Sequence, residues 1–297
     1  SIAELAEHRA VGRKDSGEGG SRVLPSPGAV SGQGAPLFMV HGGRRMLMQL
    51  TERLREDRPV HLLLDHRDAG DVAPFATVDS LAEEYLEAIR SLQAEPPLFL
   101  GGYSIGAPVA VEMARRLQRE GHPPGLLFLL DPPDEPSNFE SVEGVEWTDP
   151  VRGGSADRRP PDDGPGRARA REGPLSHWGG IAVGVASRLL GRETPLGVRR
   201  RYVPWVYDRA LRRHVLRPYE GPVLIFHSAD ARRNEDGRTL WQLLEGARAE
   251  TVDFDAAHTE FVRDPGVIDE WTRCLADHLA AADPGPRPSG EATTSGG

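Results

Sequence analysis

Ser104 sits in Gly102-Tyr103-Ser104-Ile105-Gly106, between an apolar run ending at Leu100 and a stretch that reads as helix. This is the G-x-S-x-G arrangement of a nucleophile elbow, a strand-to-helix turn tight enough to strain the serine backbone and expose its Oγ. The positions two before and two after the serine must then be small, and Gly102 and Gly106 meet that demand. A neutral serine hydroxyl is a poor nucleophile, so Ser104 needs a histidine to take its proton and a carboxylate to hold that histidine's tautomer. Of the 10 histidines, His258 is favoured because it falls between the last strand candidate and the last helix, in Asp255-Ala256-Ala257-His258-Thr259-Glu260. His278 lies inside a helical pattern, His227 ends a strand and reads as buried structure, and His41 belongs to the loop after the first strand. Two acids are open, Asp131 after Leu126–Leu130 and Asp230 after Val223–His227. A lone aspartate in either place also serves as an ordinary turn residue or helix cap.

The elements that must position these groups alternate from Pro36 onward between short β-rich apolar runs and amphipathic helices. That grammar is an α/β fold, a mostly parallel central sheet with helices on both faces. Strands are expected at Leu37–Val40, Val60–Leu64, Leu98–Gly101, Leu126–Leu130, Val223–His227 and Glu250–Phe254. The unbroken Leu126-Leu127-Phe128-Leu129-Leu130 suits a strand covered on both sides. Thr77 is placed to cap a helix carrying Leu81, Tyr85, Ile89 and Leu92, and Asp264-Pro265 opens a last helix through Val267, Ile268, Trp271, Leu275 and Leu279. Combined with the elbow, this pattern resembles the α/β-hydrolase fold, in which nucleophile, acid and histidine follow in that chain order. Both aspartates satisfy the order. Oxyanion donors are expected from the backbone N–H of Ile105 and from the loop His41-Gly42-Gly43.

One interval, about residues 132–218, is far longer than ordinary connections in this architecture and reads as a helical lid insertion. Its middle, Arg152 to Glu172, is almost without large apolar residues and is expected to be mobile. Around it, Leu175–Trp178, Ala186–Leu190 and Tyr202–Leu211 are lid-helix candidates, with Trp178 or Trp205 as candidate substrate-facing aromatics. The division is thus 1–35 as leading segment and linker, 36–131 as first core part, 132–218 as lid, 219–283 as second core part and 284–297 as a structureless tail.

Composition narrows the partners. The 297 residues with 38% hydrophobic content can bury an ordinary core, and a net charge of −9 argues against a nucleic-acid or anionic-membrane surface. A single cysteine, Cys274, precludes an internal disulfide, and no signal peptide or apolar run of membrane-spanning length stands out, making the cytoplasm the expected compartment. No phosphate-cradling glycine loop and no His/Cys ligand cluster suggests a cofactor or metal.

As a set, Pro36-Leu37-Phe38-Met39-Val40-His41-Gly42-Gly43, the segment Thr77–Gln93, Leu98–Gly106 and Glu112-Met113-Ala114 resemble the thioesterase domain that ends many nonribosomal peptide synthetases. The resemblance runs from about Pro36 to Leu279 and weakens in the insertion. It departs at Gly43-Arg44-Arg45, where many relatives continue with glycines, and at Ala107-Pro108. In that family the acid follows the strand after the nucleophile helix, which maps onto Asp131 and favours it over Asp230. The second oxyanion donor maps onto Gly43, or onto Gly42 if the alignment slips by one. Ser1-Ile2-Ala3-Glu4-Leu5-Ala6 resembles the last helix of a peptidyl carrier domain, so the chain is expected to come from the C-terminus of a larger synthetase.

The resemblance implies an enzyme with no cofactor of its own, fed by the phosphopantetheine thioester of the upstream carrier domain and monomeric as a separate domain. Ser104 would accept the peptidyl chain, and an internal hydroxyl or amine, or water, would release it as a macrocycle or a linear acid. The large lid leans toward cyclisation, as in a cyclodepsipeptide synthetase of the valinomycin kind. The competing readings are a purely hydrolytic editing thioesterase, a general serine esterase of the same fold, and a non-catalytic carrier-docking domain.

Overall fold

Short apolar runs form strands here because helices cover both of their faces. The computed structural model describes residues 23–25, 34–42, 44–54, 57–64, 77–92, 97–133, 174–190, 195–215, 217, 219–229, 231, 241 and 249–283. In chain order the elements are β1 (Val23–Pro25), β2 (Leu37–Val40), α1 (Arg44–Leu54), β3 (Val60–Leu63), α2 (Val78–Ser91), β4 (Phe99–Tyr103), α3 (Gly106–Arg119) and β5 (Leu126–Leu130), followed by α4 (Pro174–Leu189), α5 (Leu196–Leu211), β6 (Val223–His227), β7 (Ala249–Asp253), α6 (Glu260–Arg263) and α7 (Pro265–Ala282). They build a seven-stranded sheet in the order β1-β3-β2-β4-β5-β6-β7. Every neighbouring pair is parallel except β1 with β3.

Successive side chains of a strand point to opposite faces, and the core divides accordingly. Phe38, Val40, Leu100, Leu127, Leu129 and Ile225 pack with α2, α3 and Tyr207 of α5 on one side. Leu37, Met39, Phe99, Phe128, Leu130 and Phe226 pack with α1, Phe261 and α7 on the other. The expected doubly covered sheet is therefore present. All five residues of β5 are buried, as its unbroken apolar run required.

The helix starts follow from side-chain caps. Thr77 Oγ1 accepts the Ser80 N–H at 3.0 Å, and Asp264 Oδ1 accepts the N–H groups of Gly266 and Val267 at 2.8 and 3.1 Å. Each satisfies donors that the first helical turn leaves unpaired. Pro265 occupies the first turn of α7, where its missing N–H costs nothing.

Three differences from the sequence reading have local causes. β1 lies inside the stretch read as linker; three residues are too few for a periodic signal, and it forms only because Val23 to Pro25 can pair antiparallel with the edge of β3. β4 runs two residues beyond the expected Gly101, because Gly102 and Tyr103 remain in register with Leu129 and Leu130 of β5 despite the glycines. The lid-helix candidates merge into two helices, α4 and α5, packed together where the Tyr202 ring lies against Gly184. Ser1–Ala6, the stretch Arg152–Glu172 and residues 284–297 lie outside the described residues. Among those described, no helix is long and apolar enough to cross a membrane.

Gly101 shows how tightly the sheet constrains sequence, since a Cβ there would fall within the ring of Phe128, itself fully buried on β5. Gly101→Val is expected to destabilise the fold by about 1–3 kcal/mol or more, read as a lower urea midpoint. Adding Phe128→Leu should recover part of the loss, because the smaller side chain vacates the contested volume.

Candidate active site

Among the described residues, three outside the glycines have a left-handed backbone: His41 at φ 61°, Ser104 at φ 50° and Asp131 at φ 41°. Each directly follows a strand, β2, β4 or β5, and these strands are adjacent in the sheet. The strain is thus concentrated side by side along the carboxyl edge of the sheet. Non-glycine residues in this region persist only where surrounding structure over-determines them.

At the elbow, the Ser104 N–H donates to Leu130 O at 3.0 Å and Ser104 O accepts from the Ala107 N–H at 2.8 Å. The turn is so close that a Cβ on Gly102 would come within 2.5 Å of Gly106 O, while one on Gly106 would run into the carbonyl of Val40. Both glycines are small because backbone occupies the space on their open side. Ile105 follows at the N-terminus of α3, half-buried.

The carboxylate and imidazole expected from the sequence are brought together. His258 Nδ1 lies 2.6 Å from Asp131 Oδ2, while Asp131 Oδ1 accepts the Ser228 N–H at 2.8 Å. Asp131 is only 7% exposed, and burial alone would raise its pKa. The hydrogen bonds from His258 and from the backbone and side chain of Ser228 outweigh burial and hold it below the ordinary carboxylate range. Asp131 is therefore ionised at neutral pH, and Nδ1 of a neutral His258 carries the proton shared with it, leaving Nε2 as the acceptor. The His258 side chain is 42% exposed, open to an incoming group on its other edge.

The loop carrying His258 is tied down on three sides. The Ala229 N–H donates to Ala256 O at 3.1 Å, the Ala257 N–H donates to Glu260 Oε2 at 2.6 Å, and the Tyr103 hydroxyl donates to the His258 carbonyl at 3.0 Å. The Tyr103 and His258 rings are stacked, with centroids 5.0 Å apart. Ser228, Glu260 and Tyr103 were not singled out in the sequence. Only Glu260 left a local signal, three residues after the amide it caps; the other two act across strands.

His41 is buried directly after β2. Its Nε2 is 3.0 Å from the Tyr85 hydroxyl, which itself donates to Leu64 O at 2.8 Å. The tyrosine has one proton, so His41 Nε2–H is the donor to Tyr85, and the ring's tautomer is fixed. Tyr207 of α5 packs on the same imidazole at 5.4 Å. A helix of the body and a helix of the insertion thus brace the residue that opens the loop after β2. Gly42 follows at φ 116°; a side chain there would be strained in any case. Gly43 and Asp230 lie outside the described residues. His227 is fully buried at the end of β6, as expected of structure. Trp205 is half-buried, near the Tyr202 ring and under the Arg209 guanidinium, while the side chain of Trp178 lies outside the described residues. Among the described residues no cluster of His, Cys, Asp and Glu has the arrangement to hold a metal.

Comparison with known proteins agrees with this architecture. Residues 35–146 match the thioesterase domain family. Polyketide synthase PksR of Bacillus subtilis (strain 168) is 33% identical over 104 residues, which are 34% of this chain and 4% of that protein. Nonribosomal peptide synthetase btyA of Aspergillus terreus is 31% identical over 152 residues, 50% of this chain and 16% of that protein. The chain therefore spans only a small part of the curated relatives it matches. The fold is shared with the NocB thioesterase domain, solved as a covalent complex with a fluorophosphonate nocardicin G analog: TM-score 0.53, 19% identity, covering 84% of this chain and 96% of that one. It is shared also with the Vlm2 thioesterase domain bound with a dodecadepsipeptide: TM-score 0.56, 14% identity, covering 87% and 98%. The resemblance to synthetase thioesterase domains and the α/β-hydrolase fold read from the sequence are both borne out.

Two outcomes test the geometry. Tyr85→Phe leaves His41 and Leu64 O without their shared partner and is expected to cost about 1–3 kcal/mol, measured by urea denaturation. Asp131 has a depressed folded-state pKa, so its contribution is present above the unfolded carboxylate pKa and is lost as pH falls through the folded value. The stability gap between wild type and Asp131→Asn should accordingly be widest near neutrality and shrink on acidification, as read from unfolding midpoints across pH 7 to 3.

Proposed function

We propose that this chain is a chain-releasing serine thioesterase in which Ser104 is the nucleophile, His258 the general base and acid, and Asp131 the carboxylate that orients it. The observation that carries this reading is the 2.6 Å contact between His258 Nδ1 and an ionised Asp131, on the strand beside the one that presents Ser104 at φ 50°. Ser104 Oγ attacks the carbonyl carbon of a thioester as its proton passes to His258 Nε2. The tetrahedral oxyanion is met by the backbone N–H of Ile105 and by a donor from the loop after β2, Gly43 being the candidate. The C–S bond then breaks, the sulfur leaves with the proton held by His258, and an acyl-O-serine remains. An incoming hydroxyl, amine or water gives its proton to His258 and attacks the ester carbon. Ser104 Oγ recovers that proton as it leaves.

The relatives support a substrate class. They include multidomain synthetases, and the chain also shares its fold with part of a four-domain nonribosomal peptide synthetase, at TM-score 0.59 and 17% identity. A peptidyl chain delivered on the phosphopantetheine of an upstream carrier domain is the substrate that fits such a setting, and no cofactor of the domain's own is needed. Release by macrocyclisation is favoured over hydrolysis because α4 and α5 form a helical insertion between β5 and β6 that can fold a chain back and limit water.

The test is intact-protein mass spectrometry after exposure to peptidyl thioesters with a distal hydroxyl or amine. An adduct on Ser104 with a cyclic product is expected; an adduct resolving only to linear acid would make the domain hydrolytic. Turnover of simple esters without any thioester adduct would make it a general esterase. Ser104→Ala should form no adduct, and His258→Ala should lose about 10³-fold to 10⁶-fold in turnover. Asp131→Asn should cripple turnover while Asp230→Asn spares it, and the reverse would identify Asp230 as the acid.

A further inference from the structure

Tyr103 occupies the variable position of the elbow, and two independent contacts join it to His258 from the far end of the chain. Its hydroxyl donates to the His258 carbonyl at 3.0 Å. Its ring lies nearly parallel to the imidazole, 19° between planes and 5.0 Å between centroids. The strand register explains how: Tyr103 pairs with Leu130, so it is one residue before the nucleophile and next to the residue preceding Asp131. We propose that Tyr103 is a positioning residue for His258, its hydroxyl fixing the height of the histidine loop and its ring the plane of the imidazole. One pentapeptide then sets both the nucleophile and its base.

This rests on the reading of Ser104 and His258 given above and adds a role that the G-x-S-x-G pattern does not require. Packing alone would explain a ring against the second core cluster, in which Tyr103 is partly buried. It would not explain a hydroxyl spent on the main chain of the very residue whose ring is stacked. The phenol is pushed up to about 12 by burial and by the nearby Asp131 charge, partly offset by Arg263, so the donor persists across any working pH.

The stack also acts at the right moment. A neutral imidazole over a phenol ring is a weak contact, whereas the imidazolium formed as Ser104 loses its proton meets the negative face of that ring. The interaction therefore strengthens on the way to the transition state, and it should appear in the rate of acylation rather than in binding. The other charged groups described around His258 are Asp131 at its Nδ1, Glu260 at the preceding amide and Arg263 near Tyr103.

The experiment is saturation kinetics of Ser104 labelling by a fluorophosphonate on the full chain, comparing wild type, Tyr103→Phe, Tyr103→Trp and Tyr103→Leu. Tyr103→Phe keeps the ring and loses the hydrogen bond, and should lower the limiting rate about threefold to tenfold. Tyr103→Leu loses both and should lower it about tenfold to a hundredfold. Tyr103→Trp should recover the share due to the ring, and in all three the concentration giving half-saturation should stay within about twofold. Limiting rates equal to wild type in the Phe and Leu variants, or an effect confined to half-saturation, would overturn the proposal while leaving the role of Ser104 intact. Absence of labelling at Ser104 in wild type would instead overturn the functional reading itself. If Tyr103→Leu fails to fold by circular dichroism, the Phe and wild-type pair decides.

Discussion

The backbone strain at the carboxyl edge of the sheet is the constraint on which the rest of the structure depends. His41, Ser104 and Asp131 each leave a parallel strand in a left-handed conformation that side chains rarely adopt. That geometry is sustained by backbone packed against backbone. Gly106 lies against the Val40 carbonyl, Gly102 lies against the start of α3, and the Ser104 amide is bonded to Leu130. A sheet covered on both faces is rigid enough to hold three such turns in adjacent positions. An exposed loop would relax.

From this edge the electrostatics follow. Asp131 is buried yet ionised because its oxygens take up hydrogen bonds from Ser228 and His258, which outweigh the cost of removing the charge from water. An ionised acid in that place holds one proton on Nδ1 of His258 and keeps Nε2 free to accept another. The loop that carries His258 has no strand to stiffen it. It is held instead by the Glu260 carboxylate, by the bond between Ala229 and Ala256, and by Tyr103. His258 is thus anchored to the same strand end that presents Ser104, so small shifts of the sheet move the two side chains together.

The insertion is joined to this edge through aromatic packing. Tyr207 of α5 lies on His41, which Tyr85 of α2 also holds. A displacement of α5 would therefore be felt at the loop after β2, where an oxyanion donor is expected. The helical insertion and the carboxyl edge of the sheet thus share a side-chain contact.

The residues whose neighbours are close in sequence were legible without a structure. The apolar runs of β2, β4, β5 and β6, the caps Thr77 and Asp264, and the Gly-x-Ser-x-Gly spacing each satisfy a local rule, and a periodic pattern or a turn requirement suffices to read them. The choice of His258 among the histidines also followed from order along the chain. The short β1 and the last two residues of β4 were missed because pairing with a neighbouring strand, not their own composition, makes them strands. By local pattern Asp131 and Asp230 are equivalent, each an aspartate after a strand, and it is the family resemblance that favours Asp131. Only the tertiary structure brings Asp131 to within 2.6 Å of His258, across 127 positions of chain. Contacts of that separation depend on strand order and register, which no local pattern encodes, and the same is true of the partners Tyr103, Ser228 and Tyr85.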